Sequence, residues 1–241
     1  MTAELDRRRL LTAAGLAATA ATVAAGMAVS PGQAAAQALA AEPLSPDEAL
    51  ERLRAGNAAF LRGQLPPLAS IGGQRRLEIA QTQRPFATLI SCSDSRVPPE
   101  VLFGRGLGEL FIIRNAGNTV DTAAMGSLEF SVAVLGVPLV VVMGHERCGA
   151  VKAAQDVVEK NASFPGSIGR MIEPIIPAVL TARGQSGDPL DAAIRANVAR
   201  TVNRLKTASE PMLLEPLRAG KLKIVGATYD LDDGRVTFFD A

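Results

Sequence analysis

The sequence predicts an α/β fold: a mostly parallel central β-sheet of about four parallel strands, with an antiparallel C-terminal edge strand, flanked by helices. Three observations predict it. Residues 86–90 (FATLI), 110–113 (LFII) and 139–143 (LVVVM) are short, unbroken apolar runs, as strands buried on both faces of a parallel sheet require. Helical periodicity occupies the stretch between the second and third runs, which makes a right-handed β-α-β unit. Finally, Asp232-Asp233-Gly234 separates strand-like residues 222–229 from 236–239, a hairpin turn between antiparallel strands.

The N-terminal 38 residues read as a leader, separate from a single domain over 39–241. Arg7, Arg8 and Arg9 precede Leu10 and Leu11. An Ala-, Gly- and Val-rich run follows as far as Val29, and Pro31-Gly32 breaks it. Ala36-Gln37-Ala38 fits a small-residue cleavage site. The arginines followed by leucines resemble a twin-arginine export signal. Export to the periplasm or beyond is therefore expected, with a membrane anchor as the alternative if the leader stays attached.

Ser45-Pro46-Asp47-Glu48 opens the first helix of the domain: Ser at the N-cap, Pro at the first position and an acidic first turn. Gln64-Leu65-Pro66-Pro67 ends it, and residues 76–79 allow a short turn of helix. Residues 121–135 carry Ala124, Leu128, Ser131 and Leu135 at helical spacing, and Gly136-Val137-Pro138 stops that helix. A helix follows Ala150 to about residue 160. Residues 167–183 contain Pro174 and Pro177 and predict a kinked helix or two short ones. Asp188-Pro189 opens a long helix with Ala192, Ile194, Val198, Val202 and Leu205 periodic.

Composition narrows the function. Lys and Arg number 25 against 24 Asp and Glu, so no basic stripe points to nucleic acid and no acidic tail to a disordered partner segment. Apart from the leader, nothing suggests a membrane. The chain has two cysteines and one histidine, so any thiolate–imidazole metal site draws on Cys92, His145 and Cys148. Cys92 follows the first apolar run, and His145 and Cys148 follow the third. The carboxyl ends of parallel strands are where sites form in open α/β sheets. His145 and Cys148 stand three apart at an expected helix start, a spacing that allows both on one helical face. Two thiolates and an imidazole suit a catalytic zinc with one open position. A disulfide or two buried small side chains remain open on spacing alone.

Cys92-Ser-Asp94-Ser-Arg96, followed beyond the next strand by Gly144-His145-x-x-Cys148-Gly149, resembles the β-carbonic anhydrases. The resemblance extends to Glu109 through Asn118, Cys148 through Ala154, Asn197-Val198 and Gly226 through Asp230. It implies one zinc per subunit on Cys92, His145 and Cys148, with water in the fourth position, and reversible hydration of carbon dioxide to bicarbonate and a proton. It gives Asp94 and Arg96 the role of a dyad orienting the attacking oxygen. Gln83 stands where the family places a substrate-orienting amide. Val97, Phe103 and Ala116 match its apolar wall, and the Gly149 N–H suits bicarbonate. Arg114 and Tyr229 match two positions that hold inhibitory bicarbonate in some members; Leu89 replaces the third, a tryptophan. The resemblance further implies a homodimer or homotetramer. Hydrolysis of carbon disulfide or carbonyl sulfide on the same scaffold, or non-catalytic zinc or bicarbonate binding, are the alternatives.

Overall fold

The computed structural model describes residues 44–240; the leader over 1–38 lies outside the described residues. Helix α1, Pro46–Leu61, starts on a capping box. The Glu48 N–H donates to Ser45 Oγ at 3.3 Å, and the Ser45 N–H donates back to the Glu48 carboxylate at 2.8 Å. Such a cap contributes about 1 kcal/mol. A 3-10 turn, Leu68–Ser70, and α2, Gly73–Ile79, lead to β1, Ala87–Ser91. Then come α3, Pro99–Leu102, and β2, Leu110–Arg114. A 3-10 turn, Ala116–Asn118, precedes α4, Thr122–Glu129, which is capped by Asp121 and runs into a π-helical turn, Phe130–Val134. Strand β3, Leu139–His145, feeds α5, Gly149–Lys160.

Residues 167–182 form two short helices, α6, Ser167–Ile172, and α7, Ile176–Ala182, joined by a 3-10 turn at Pro174. Prolines near helix starts cost no hydrogen bond, so both are accommodated by starting a new segment. Helix α8, Pro189–Lys206, is capped by the Asp188 carboxylate, which accepts from the Leu190 and Asp191 N–H groups. Helix α9, Pro211–Arg218, and strands β4, Lys223–Tyr229, and β5, Val236–Phe239, complete the chain.

The sheet order is β2-β1-β3-β4-β5. The first four strands are parallel and β5 is antiparallel to β4, as the apolar runs and the hairpin turn predict. The chain adds β2 on one side of β1 and then crosses to place β3 on the other. The C-terminal ends of β1 and β3 therefore flank a topological switch point, where a crevice opens above the sheet.

Alternation along β3 sends Leu139, Val141 and Met143 to one core and Val140 and Val142 to the other. The first core packs beneath α1 through Ala49, Leu50 and Leu53. The second packs beneath α8 through Val198, Val202 and Leu205. Each fully buried Leu or Val contributes about 1.5–3 kcal/mol of apolar transfer. Asn57, 4% exposed, ties α1 to the hairpin. Its Nδ2 donates to the Leu102 and Gly234 carbonyls at 3.2 and 3.1 Å, and its Oδ1 accepts from the Val236 N–H at 2.9 Å.

Helix α8 rides close to the sheet because two strand positions lack side chains. A Cβ on Gly144 would lie 2.8 Å from Val198 Cγ2, and one on Gly226 would lie 2.7 Å from the Phe239 ring on β5 and 3.0 Å from Val198 Cγ1. Both are nearer than van der Waals contact allows, so glycine at these positions sets the seating of the helix.

Candidate metal centre

Cys92 is the residue after β1, and His145 is the last residue of β3. The two strands are direct neighbours, with Ser91 opposite Met143. Cys148 is the N-cap of α5. His145 and Cys148 thus do not share a helical face, as the spacing suggested. One ends a strand and the other starts a helix, and Arg147 turns the chain between them in a left-handed conformation, φ 50°. Arg147 is held in that turn by a bidentate pair with Asp232 at 2.9 and 2.7 Å.

The ligand atoms of Cys92, His145 and Cys148 all lie within 4.8 Å of one another, and all three residues are buried. Both cysteines are free. Their sulfurs are 4.0 Å apart, near the roughly 3.8 Å that two thiolates about 2.3 Å from one tetrahedral zinc would span. His145 is fully buried, and its Nδ1 lies 2.8 Å from the Glu146 carbonyl oxygen. A carbonyl only accepts, so Nδ1 carries the proton and Nε2 keeps a free lone pair. That Nε2 is buried without a hydrogen-bond partner, an arrangement costly for an imidazole unless a cation takes the lone pair. The donor set and the orphaned nitrogen both fit zinc.

The two thiols do not behave alike. Hydrogen bonding from Cys148 holds the Cys92 thiol well below its usual range. The same contact and burial push Cys148 up, opposed by the Val151 and Ala150 N–H groups at the start of α5. These helix N-terminal donors favour a thiolate at this position.

Asp94 stands at the mouth of the cluster, its Oδ2 3.8 Å from His145 Nε2. Arg96 grips it in a fork: Nε donates to Oδ1 at 2.9 Å and Nη2 to Oδ2 at 2.7 Å, while the Arg96 N–H also donates to Oδ1 at 2.9 Å. Hydrogen bonding from Arg96 holds the Asp94 carboxyl far below the ordinary carboxylate range. It remains an anion and an acceptor wherever the protein is folded near neutral pH.

The sequence model of the carbonic anhydrase family matches residues 87–236, which contain all five of these residues. A carbonic anhydrase of Mycolicibacterium smegmatis is 41% identical over 192 residues, 80% of this chain and 92% of the relative. The chain belongs to the β-carbonic anhydrase family. Carbonic anhydrase 2 of Mycobacterium tuberculosis is 38% identical over 196 residues, covering 81% of this chain and 94% of that one. Among solved structures, the β-carbonic anhydrase CcaA superposes with a TM-score of 0.63 at 26% identity, over 79% of this chain and 95% of that one. One of two tetrameric β-carbonic anhydrases of Sordaria macrospora superposes with a TM-score of 0.61 at 25% identity, over 68% and 85% of the two chains.

Within this β-carbonic anhydrase, the residues expected to line a substrate pocket do not all surround the cluster. Gly149 is exposed at the first turn of α5, and a Cβ there would meet nothing within 4 Å; N–H groups at a helix start suit an anion. Ala116 is half-buried at the 3-10 turn after β2. Val97 and Phe103 are fully buried in the core beneath α1. Gln83 is exposed and precedes β1, whereas Cys92 follows it. At about 3.3 Å per residue the strand alone separates its two ends by roughly 13 Å.

Arg114 has a role that its sequence context did not reveal. It sits at the end of β2 opposite Ser91. Its Nε donates to the Cys92 carbonyl at 2.9 Å and its Nη2 to the Asp94 carbonyl at 2.6 Å. One guanidinium thereby fixes the backbone of both the metal-ligating cysteine and the dyad aspartate. In the sequence Arg114 was a cation closing an apolar run, matched to a bicarbonate position and not to this clamp. Leu89 and Tyr229, the neighbours of that position in the family resemblance, belong to the core beneath α1.

Proposed function

We propose that the chain catalyses the reversible hydration of carbon dioxide to bicarbonate and a proton, with Cys92, His145 and Cys148 holding zinc. The observation that carries this reading is the unpartnered, buried His145 Nε2 beside two free sulfurs and an intact Asp94–Arg96 pair. Zinc held there would acidify bound water strongly, toward a pKa of about 7 in favourable sites. Two thiolates offset the formal charge of the ion, so the protein's own groups must assist. Asp94, ionised and fixed by Arg96, accepts a hydrogen bond from the attacking oxygen and directs its remaining lone pair toward the carbon. Arg114 keeps the Asp94 backbone in place while this happens. Bicarbonate forming over α5 meets the Gly149 N–H at the positive end of the helix.

The proton must leave by another carrier. The single histidine of the chain is a metal ligand, so no imidazole is left to shuttle. Purified protein is expected to contain about one zinc per subunit, to hydrate carbon dioxide, and to speed up with buffer concentration at fixed pH. Zinc without activity across neutral and alkaline pH would overturn the reading. A rate indifferent to buffer would overturn the proton route.

The functional unit is a homodimer or homotetramer. Leu65, Leu68 and Leu77, between 74% and 82% exposed, form apolar surface around α1 and α2 that burial against a second copy would remove from water. Gln83, at the far end of β1 from Cys92, can orient substrate only at the site of another copy. The Sordaria macrospora relatives are tetrameric. Light scattering is expected to give the mass of two or four chains, and a monomer at micromolar concentration would refute it.

A further inference from the structure

We propose that Asn197, on α8, is a positioning residue for the metal centre: it fixes the conformation of Gly117, whose N–H donates to the sulfur of Cys92. The inference rests on the reading of Cys92, His145 and Cys148 as zinc ligands.

Asn197 is 2% exposed and lies on the sheet-facing side of α8. Its Nδ2 donates to the Gly117 carbonyl at 2.9 Å. The Gly117 N–H in turn points at Cys92 Sγ, 3.3 Å away. These two groups belong to successive peptide units joined at the Gly117 Cα. Holding one plane sets the other through Gly117's own φ and ψ, 74° and 19°. That conformation is left-handed and favours glycine. A Cβ at Gly117 would in any case lie 2.5 Å from Ile175 Cδ1, so the position also lacks space for a side chain.

Without the amide of Asn197, the turn still has its local ties, the Asn118 N–H to the Asn115 carbonyl at 2.9 Å and Asn115 Nδ2 to the Thr119 carbonyl at 3.0 Å. The first of these holds the amide edge of the 117–118 peptide plane, and the Asn197 amide is what ties its carbonyl edge to α8. An N–H···S hydrogen bond withdraws electron density from a thiolate and fixes the direction of its lone pairs. Groups that orient a metal ligand in this way are typically worth about 10–100-fold in metal affinity. Arg204, two turns further along α8, holds the same segment through the Val120 carbonyl at 2.8 Å. It provides an internal comparison, because it tethers the loop without touching Gly117.

The test compares the full chain with Asn197→Asp, Asn197→Thr and Arg204→Met. Circular dichroism of the metal-free forms checks folding. Zinc affinity is measured by chelator competition, and the sulfur-to-cobalt absorption by titration with Co²⁺. Both Asn197 variants are expected to fold and to bind zinc about 10–100-fold more weakly. Their sulfur-to-cobalt band should move to longer wavelength, because a thiolate that has lost its N–H donor is easier to oxidise. Arg204→Met should leave both readouts near those of the unsubstituted chain. If the unsubstituted chain binds neither ion, the zinc reading itself fails. If it binds both and the Asn197 variants bind equally well, the positioning role is overturned. Equal weakening by Arg204→Met, or loss of folding in both Asn197 variants, overturns it too, since either would make Asn197 one of several general loop or folding contacts.

Discussion

Cys148→Ser, Cys92→Ser or His145→Ala is expected to eliminate bound zinc and to lower carbon dioxide hydration by at least about 10³-fold, several kcal/mol of transition-state stabilisation. A serine hydroxyl does not ionise near neutral pH and is a poor partner for this borderline-soft ion. Alanine at 145 removes the only imidazole in the chain. The substitutions separate chemistry from stability because the ligands are delivered by a sheet that is already complete. Strands β1 and β3 pair through Thr88–Ser91 and Val140–Met143, and neither pairing needs the ion. Circular dichroism should therefore change little while zinc content and activity collapse together. Full activity in a variant that has lost its zinc would refute the assignment.

Asp94→Asn should do the reverse, retaining zinc and losing about 10²-fold in rate. The substitution keeps the side chain's shape but removes its charge and one acceptor oxygen. Arg96 then faces an amide instead of the carboxylate it grips at 2.7–2.9 Å. With no anion to accept its proton, the attacking oxygen is free to rotate, and its lone pair is no longer aimed at carbon. Zinc content by metal analysis, read beside the hydration rate, decides the matter. Zinc lost in parallel with activity would make Asp94 a structural residue. A rate within threefold, on the order of 0.6 kcal/mol, would leave it without a catalytic role.

The two central parallel strands were legible in the sequence because burial on both faces favours a run of apolar residues. Every residue of β1 and β3 is buried, and the apolar runs fall within one or two residues of the observed strands. Helices α1 and α8 were legible from their caps and prolines. Helix α9 was not. Pro216 lies inside it, and an interior proline argues against a helix by removing a hydrogen bond. Here Pro216 lies in the last turn of a short helix, so one donor is forgone, while its carbonyl accepts from the Lys221 and Leu222 N–H groups that close the end. The π-helical turn at Phe130–Val134 also escaped, since one extra residue per turn leaves no mark on apolar spacing.

The metal ligands and the dyad were legible because the chain offers so few sulfur and imidazole groups, each beside a strand end. Their support was not. Arg114 reaches the Cys92 and Asp94 carbonyls only because the β1–β2 register sets it opposite Ser91. Asn197 reaches Gly117 from eighty residues away in the chain; the resemblance marked its helix position but not this contact. Contacts of this kind depend on register and seating, which local sequence does not encode.

Gly144 and Gly226 give that seating a wider meaning. Val198, wedged against both, is the immediate neighbour of Asn197. A methyl group at Gly144, meeting Val198 and Ile194, would lift the helix by a few tenths of an ångström and carry the amide of Asn197 with it; at Gly226 it would first meet the Phe239 ring. The spacing between two layers of the protein is in this sense an adjustment screw for a sulfur atom it never touches, and the two bare strand positions are its stops.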